Sequence, residues 1–293
     1  MKDRGRSIQH IRQIPRLPAA CVELIGILRN PETGINDIVE MIELDPGLSM
    51  NLLKLVNSAS MAGRQRIGTV KNAVVRLGRK QIQRMVLEIT VSPMIGERIG
   101  GYDITAREFW LHSIAVSLGT RLAGERLELD LPGDAETAGL LHDIGKIAMS
   151  SVLENDAREV VLYAKNQKIP FEKAEETYHG ISHPEAGAIL LEEWHLPDPM
   201  IRAVRWHHEP ENAEADPVVD MIHIADVLSI SAGLGMAVAS KLAGRPNYSV
   251  SSRIFNKYDI VDETTEQILS SMVSGLDKID STLKNAAAER GNG

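Results

Sequence analysis

Residues 140–150, LLHDIGKIAMS, place His142 beside Asp143 and put Lys146 about one helical turn further on. The neighbours are small or apolar, with Ala138, Gly139 and Leu140 before the pair and Ile147, Ala148 and Met149 after it. A charge buried in such a segment without a partner costs several kcal/mol, so something has to hold the pair. Two holders are open at this point: a hydrogen bond within an apolar core, or a bound metal ion.

Outward from this segment the chain reads as helix. Of its 293 residues 43% are hydrophobic but only 4% aromatic, a balance that favours helices over sandwiches of β-strands. In CVELIGILRN (21–30) the apolar residues fall on a helical stripe that ends at Asn30-Pro31. GINDIVEMIELDPG repeats the pattern with Ile35, Ile38, Val39 and Ile42 and stops at Asp45-Pro46-Gly47. DITAREFWLHSIAVSLGTRLAGERL reads as one long helix, and DAETAGLLHDIGKIAMSSVL as a further helical segment that carries His142 through Lys146. No stretch alternates apolar and polar residues for long enough to be a strand, so the expected fold is all-α. The expected organisation is an N-terminal helical lobe (1–100), a helical core (101–240) and a C-terminal helical extension (241–293) with a frayed tail.

The single cysteine, Cys21, excludes an intramolecular disulfide and fits a reducing cytoplasm. The opening MKDRGRSIQHIRQ has no apolar core for a signal peptide, and the uncharged run LSISAGLGMAVAS is too short to span a bilayer. A cytoplasmic protein without a membrane partner is therefore expected. The net charge of −8 is uneven, with +6 in residues 1–100 and −14 in the remainder. Seven basic residues between Arg64 and Arg84 have no acid among them. A solvated helix face accounts for such a run, and nucleic acid is not the expected partner.

The His-Asp pair belongs to a wider set. Glu108 and His112 are four apart in REFWLHS and share a helix face. His183 opens HPEAGAILL, His207 and His208 are adjacent in RWHHEP, and Asp226 interrupts the apolar HIADVLS. Each residue alone fits a satisfied core position. Together, imidazoles and carboxylates without thiolate suit iron, manganese or zinc, and the lack of a cysteine pair excludes the usual structural zinc sites.

The chain resembles the HDOD family, a branch of the HD phosphohydrolase superfamily found in bacterial signalling proteins. The resemblance runs from about residue 12 to 230, through IPRLPAACVELIGILRNP, LDPGLSMNLLKLVNSA, AVVRLGRKQIQRMV, AGLLHDIGKIA, EEWHLP, RWHHEP and HIADVLS. It implies an HD-domain-like helical bundle with an N-terminal helical lobe. Many HDOD members resemble phosphohydrolases without their metal ligands, whereas this chain is similar to the HD-GYP phosphodiesterases in its ligand set: Glu108, His112, His142, Asp143, His183, His207, His208 and Asp226.

What the resemblance implies is two divalent ions, iron or manganese ahead of zinc, nickel or magnesium. Asp143 would bridge them, with His112, His142 and Asp226 on one, His183, His207 and His208 on the other, and Glu108 at an extra position. Lys146 and Asp143 would carry the catalytic work, Lys146 on a phosphate oxygen. The implied activity is hydrolysis of a nucleotide-like phosphate ester, with a nucleotide or cyclic dinucleotide as ligand. The alternative is a non-catalytic signalling or metal-sensing module that binds a protein partner. Two departures from the HD-GYP pattern count against cyclic dinucleotide hydrolysis. The segment after RWHHEP reads ENAEADPVVD without a Gly-Tyr-Pro loop, and Ser229 stands where a second aspartate is usual.

Overall fold

The computed structural model describes residues 4–15, 17, 19–30, 32–57, 67–91, 94, 97–153, 156–234 and 249–290. Arg64 and Arg66, the start of the basic run, and the tail beyond residue 290 lie outside the described residues. The architecture is all-α. The only sheet among the described residues is an antiparallel pair of two-residue strands, β1 (Arg98–Ile99) and β2 (Ile104–Thr105). The chain divides into two compact units, one of residues 17–94 and 275–293, the other of 1–16 and 95–274. The first helix, α1 (Arg4–Ile11), thus belongs with the HD segment rather than with the lobe 1–100 in which the sequence reading places it.

The smaller unit is built from α2 (Ala19–Arg29), α3 (Ile35–Glu43), α4 (Pro46–Val56) and α5 (Val70–Val91). Its core is the set of apolar stripes visible in the sequence: Leu24 and Leu28 from α2, Ile38 and Ile42 from α3, Leu52 and Val56 from α4, and Ile82, Met85 and Val86 from α5. Asp45-Pro46-Gly47 stops α3 and also starts α4, with proline in the first turn and the Asp45 carboxylate accepting from Leu48 N at 3.0 Å. Gly78, at φ +74°, breaks α5, and the next side chain, Arg79, donates to Asn30 O at 2.6 Å beyond the end of α2.

The larger unit holds the histidine-rich segments. Its elements are α6 (Ala106–Arg126), α7 (Ala135–Leu141), α8 (Gly145–Leu153), α9 (Ala157–Gln167), α10 (Phe171–His179), α11 (His183–Glu193), α12 (Asp198–Trp206), α13 (Pro217–Ser231) and α14 (Ser252–Tyr258), followed by the start of α15 (Asp262–Arg290). Helix α6 packs along α13 and α7, while α11 packs on α8 and α12. Both α6 and α13 are buried nearly all round, which is why neither shows a clean amphipathic stripe. The single helix expected over 142–146 is two helices, because residues 142–144 form a turn between α7 and α8.

Candidate metal centre

The turn between α7 and α8 is how His142 and Asp143 reach the same point from adjacent positions. Leu141 ends α7, and His142 folds back so that its Nδ1 donates to Gly139 O at 2.8 Å, satisfying a carbonyl the helix end leaves open. His207 does the same after α12, donating from Nδ1 to Val204 O at 2.7 Å. A carbonyl only accepts, so each Nδ1 carries the hydrogen and each Nε2 is left to point inward. His183 is the first residue of α11, and its backbone N and Nδ1 both donate to Glu175 Oε2, at 2.8 and 2.7 Å. His112 and Asp226 come from the interiors of α6 and α13, and Ser229 lies one turn beyond Asp226 with its Oγ 3.1 Å from His112 Nδ1.

Gly145 brings these pieces together. A Cβ there would lie 1.8 Å from His183 O and 2.5 Å from Gly187 N, so α8 can meet the start of α11 only where its first residue is glycine. The glycine of HDIGK thereby sets the Asp143-to-His183 distance.

The donor atoms form two adjoining groups, Asp143 with His183, His207 and His208, and His112 with His142 and Asp226; within each group they lie within 4.8 Å of one another. Asp143 stands between the groups. Its Oδ1 is 3.3 Å from His183 Nε2 and 3.8 Å from His207 Nε2, and its Oδ2 is 3.5 Å from His112 Nε2 and 3.4 Å from His142 Nε2. Asp226 Oδ1 is 3.1 Å from His112 Nε2, and its Oδ2 is 3.6 Å from His208 Nδ1. All seven side chains are at most 2% exposed. The Nε2 atoms of His112, His142 and His207 and the Oδ1 of Asp143 are buried with no hydrogen-bond partner. Lone pairs aimed at lone pairs in a dry interior repel unless a cation or a proton sits between them. The arrangement fits divalent ions with nitrogen and oxygen ligands, and a core hydrogen bond no longer accounts for the His-Asp pair.

The electrostatics follow the same geometry. Burial pushes the His142 imidazole down, but Asp143 and Asp226 outweigh it and hold its pKa up at about 9. Burial pushes the His207 imidazole well below its usual range, and the neighbouring His142 adds to that. Burial alone would raise Asp143, yet Lys146 and His142 hold it well below the usual carboxylate range. A proton on His142 thus does in the metal-free cluster what an ion would otherwise do.

The structure brings together seven of the eight metal ligands named from the sequence. The eighth, Glu108, is placed elsewhere. Its Oε2 accepts from Thr105 N at 2.8 Å and from Thr105 Oγ1 at 2.7 Å, closing a capping box at the start of α6, and it joins neither donor group. Those hydrogen bonds from Thr105 also hold its carboxyl below the usual range. Lys146 is buried, and its Nζ donates to Asp143 Oδ2.

Several partners were not legible as site residues. Glu175 orients His183 and accepts from the buried Tyr102 hydroxyl at 2.5 Å. His223 donates from Nδ1 to His207 O at 2.7 Å and accepts Ser251 N at Nε2 at 3.2 Å. Within the segment 244–261, the described part packs behind α13, where Asp220 takes Lys257 Nζ at 2.8 Å, Tyr258 OH at 2.9 Å and the Arg253 guanidinium.

The HDOD domain model matches residues 14–210. The chain belongs to the HDOD family. A protein of Treponema pallidum (strain Nichols), uncharacterised, is 27% identical over 220 residues; the match takes in 74% of this HDOD chain and 42% of that protein's length. Solved structures share the fold. A Geobacter sulfurreducens HDOD domain protein of unknown function is 24% identical, with a TM-score of 0.65 and 98% of each chain covered. A Shewanella amazonensis SB2B protein provisionally named a phosphohydrolase is 23% identical, with a TM-score of 0.60 over 91% of this chain and 97% of that one. A Marinobacter aquaeolei VT8 protein, provisionally a signal transduction protein, is 20% identical with a TM-score of 0.75 over 94% of this chain and 60% of that one. No helix among the described residues is long and apolar enough to cross a membrane.

Proposed function

We propose that this HDOD chain holds two divalent metal ions, iron or manganese, and hydrolyses a nucleotide-like phosphate ester. The observation that carries the reading is the buried donor set around Asp143, in which imidazole nitrogens and carboxylate oxygens face one another and the Nε2 atoms of His112, His142 and His207 have no hydrogen-bond partner. His183, His207 and His208 would hold one ion, His112, His142 and Asp226 the other, and Asp143 would offer one oxygen to each. When bound, such ions supply the positive charge that acidifies water and neutralises a phosphoryl group. The protein's own share is to fix the ring orientations through Gly139 O, Val204 O and Glu175, and to keep bulk water out. Lys146 would hold a phosphate oxygen, since its ammonium is the nearest cation to Asp143. A cavity of about 310 Å³, lined by Arg205, Trp206 and His208 among others, is large enough to admit a small phosphate ester.

One observation favours a second reading. The donor side chains are at most 2% exposed, which suits an ion held as a sensor or structural element in a signalling module that binds a protein partner. Turnover of a chromogenic phosphodiester and of a nucleotide panel by metal-loaded protein separates the two. Activity that disappears in Asp143→Ala supports hydrolysis, and full loading without turnover supports the signalling module.

A further inference from the structure

The two halves of the cluster are not equivalent, and the difference comes from Asp143. Its Oδ1 faces His183 and His207, is buried, and has no hydrogen-bond partner. Its Oδ2 faces His112 and His142 and already holds the Lys146 ammonium, itself buried. The support behind the rings is unequal in the same direction. On the Oδ1 side, His183 is backed by the Glu175 carboxylate, which Tyr102 holds in turn. On the Oδ2 side, among the described residues, His112 is backed by the Ser229 hydroxyl and, at 3.3 Å, by Leu234 O, with no carboxylate behind it. A carboxylate behind a ligating imidazole raises its basicity more than a hydroxyl does. Each side has three donors of its own and one Asp143 oxygen, but on the Oδ2 side that oxygen is already engaged by Lys146.

We infer that the two positions load in order, the Asp143–His183–His207–His208 position first, with Lys146 acting as an internal cation that holds the other position until an anion draws it away. The inference rests on the two-ion reading. A unit positive charge beside a divalent ion repels it strongly even under surface-like screening, so the second ion and the ammonium compete for the same oxygen. An anion that takes up the ammonium relieves the competition. Anion and second ion then favour each other's binding by equal factors, as linkage requires. In a phosphohydrolase this leaves the cluster incomplete until a phosphate group arrives.

The test is titration of chelator-treated full-length protein with MnCl2, following free Mn²⁺ by electron paramagnetic resonance, with and without inorganic phosphate. The wild type is expected to bind one ion tightly and a second at least about tenfold more weakly, and phosphate is expected to tighten the second alone. In Lys146→Met, and in Lys146→Gln as a second neutral variant, the second ion should tighten about tenfold without phosphate, and the phosphate effect should vanish. Two ions of equal affinity in the wild type overturn the order of loading even if neither variant folds. An unchanged second affinity in the variants, or a phosphate effect equal in variants and wild type, overturns the role of Lys146. Absence of any bound Mn²⁺ overturns the two-ion reading itself.

Discussion

Replacing Gly145 by alanine should loosen the fold and the cluster together, because one close approach serves both. The added Cβ would sit 1.8 Å from His183 O and 2.5 Å from Gly187 N, and neither backbone atom can rotate away. Restoring about 3 Å, the closest approach Cβ atoms tolerate, requires α8 and α11 to part by roughly 1 Å. Forced overpacking of this kind costs about 1–3 kcal/mol, and with backbone on both sides the upper end applies. For a unit of this size 1 kcal/mol moves Tm by roughly 2–4 °C, so Gly145→Ala should melt about 6–12 °C lower. The same parting widens the 3.3 Å gap between Asp143 Oδ1 and His183 Nε2, beyond the ~0.5 Å tolerance of a working metal site. Bound metal should therefore fall sharply. Gly133→Ala is the control, since nothing lies within 4 Å of its added Cβ, and it should stay within about 0.5 kcal/mol of wild type. Calorimetry and metal analysis on the two variants decide the matter. A Gly145→Ala protein with wild-type melting and metal content would refute the packing argument.

Glu175→Gln keeps the shape but removes the charge behind His183, and metal affinity should drop about 10–100-fold, measured by competition with a chelating dye. Metal affinity should rise with pH across the neutral range. An ion binds only neutral imidazole, and in the metal-free protein Asp143 and Asp226 hold His142 protonated up to about 9. Loading at pH 7 should accordingly release protons, which calorimetry in buffers of different ionisation enthalpy would detect; a buffer-independent heat would count against it. Asp220→Ala should cost about 1–3 kcal/mol in denaturant unfolding, below the roughly 3–5 kcal/mol of a fully buried ion pair, because the Arg253 and Lys257 side chains left behind are partly exposed.

The helical class was legible because the small unit's stripes obey a 3.6-residue period, and Asp45-Pro46-Gly47 punctuates them. The turn at 142–144 was not, since no proline or capping residue marks it and it shows only in three dimensions, in the His142 bond to Gly139 O and the backbone bonds from Ile144 N to Leu141 O and from Lys146 N to Asp143 O. The seven side chains of the buried donor set could be named from residue type and resemblance. Glu108 stands outside that set: a carboxylate four residues before His112 fits a ligand pattern, but Thr105-x-x-Glu108 is also a capping-box signature. Glu175 carries no such mark. It sits among the acids of EKAEETYH, and nothing in its spacing separates it from its exposed neighbour Glu176; only the packing of α10 against α11 gives it His183. Lys146 was legible as a site residue, but the oxygen it occupies is a fact of three dimensions.

The most direct measurement is elemental analysis of the purified full-length chain beside Asp143→Ala and His142→Ala. Iron or manganese approaching two ions per chain in the wild type, with marked loss in both variants, is the outcome the proposed function predicts. A folded wild type that carries no metal, and takes none up from Mn²⁺ or Fe²⁺ after dialysis, would contradict it.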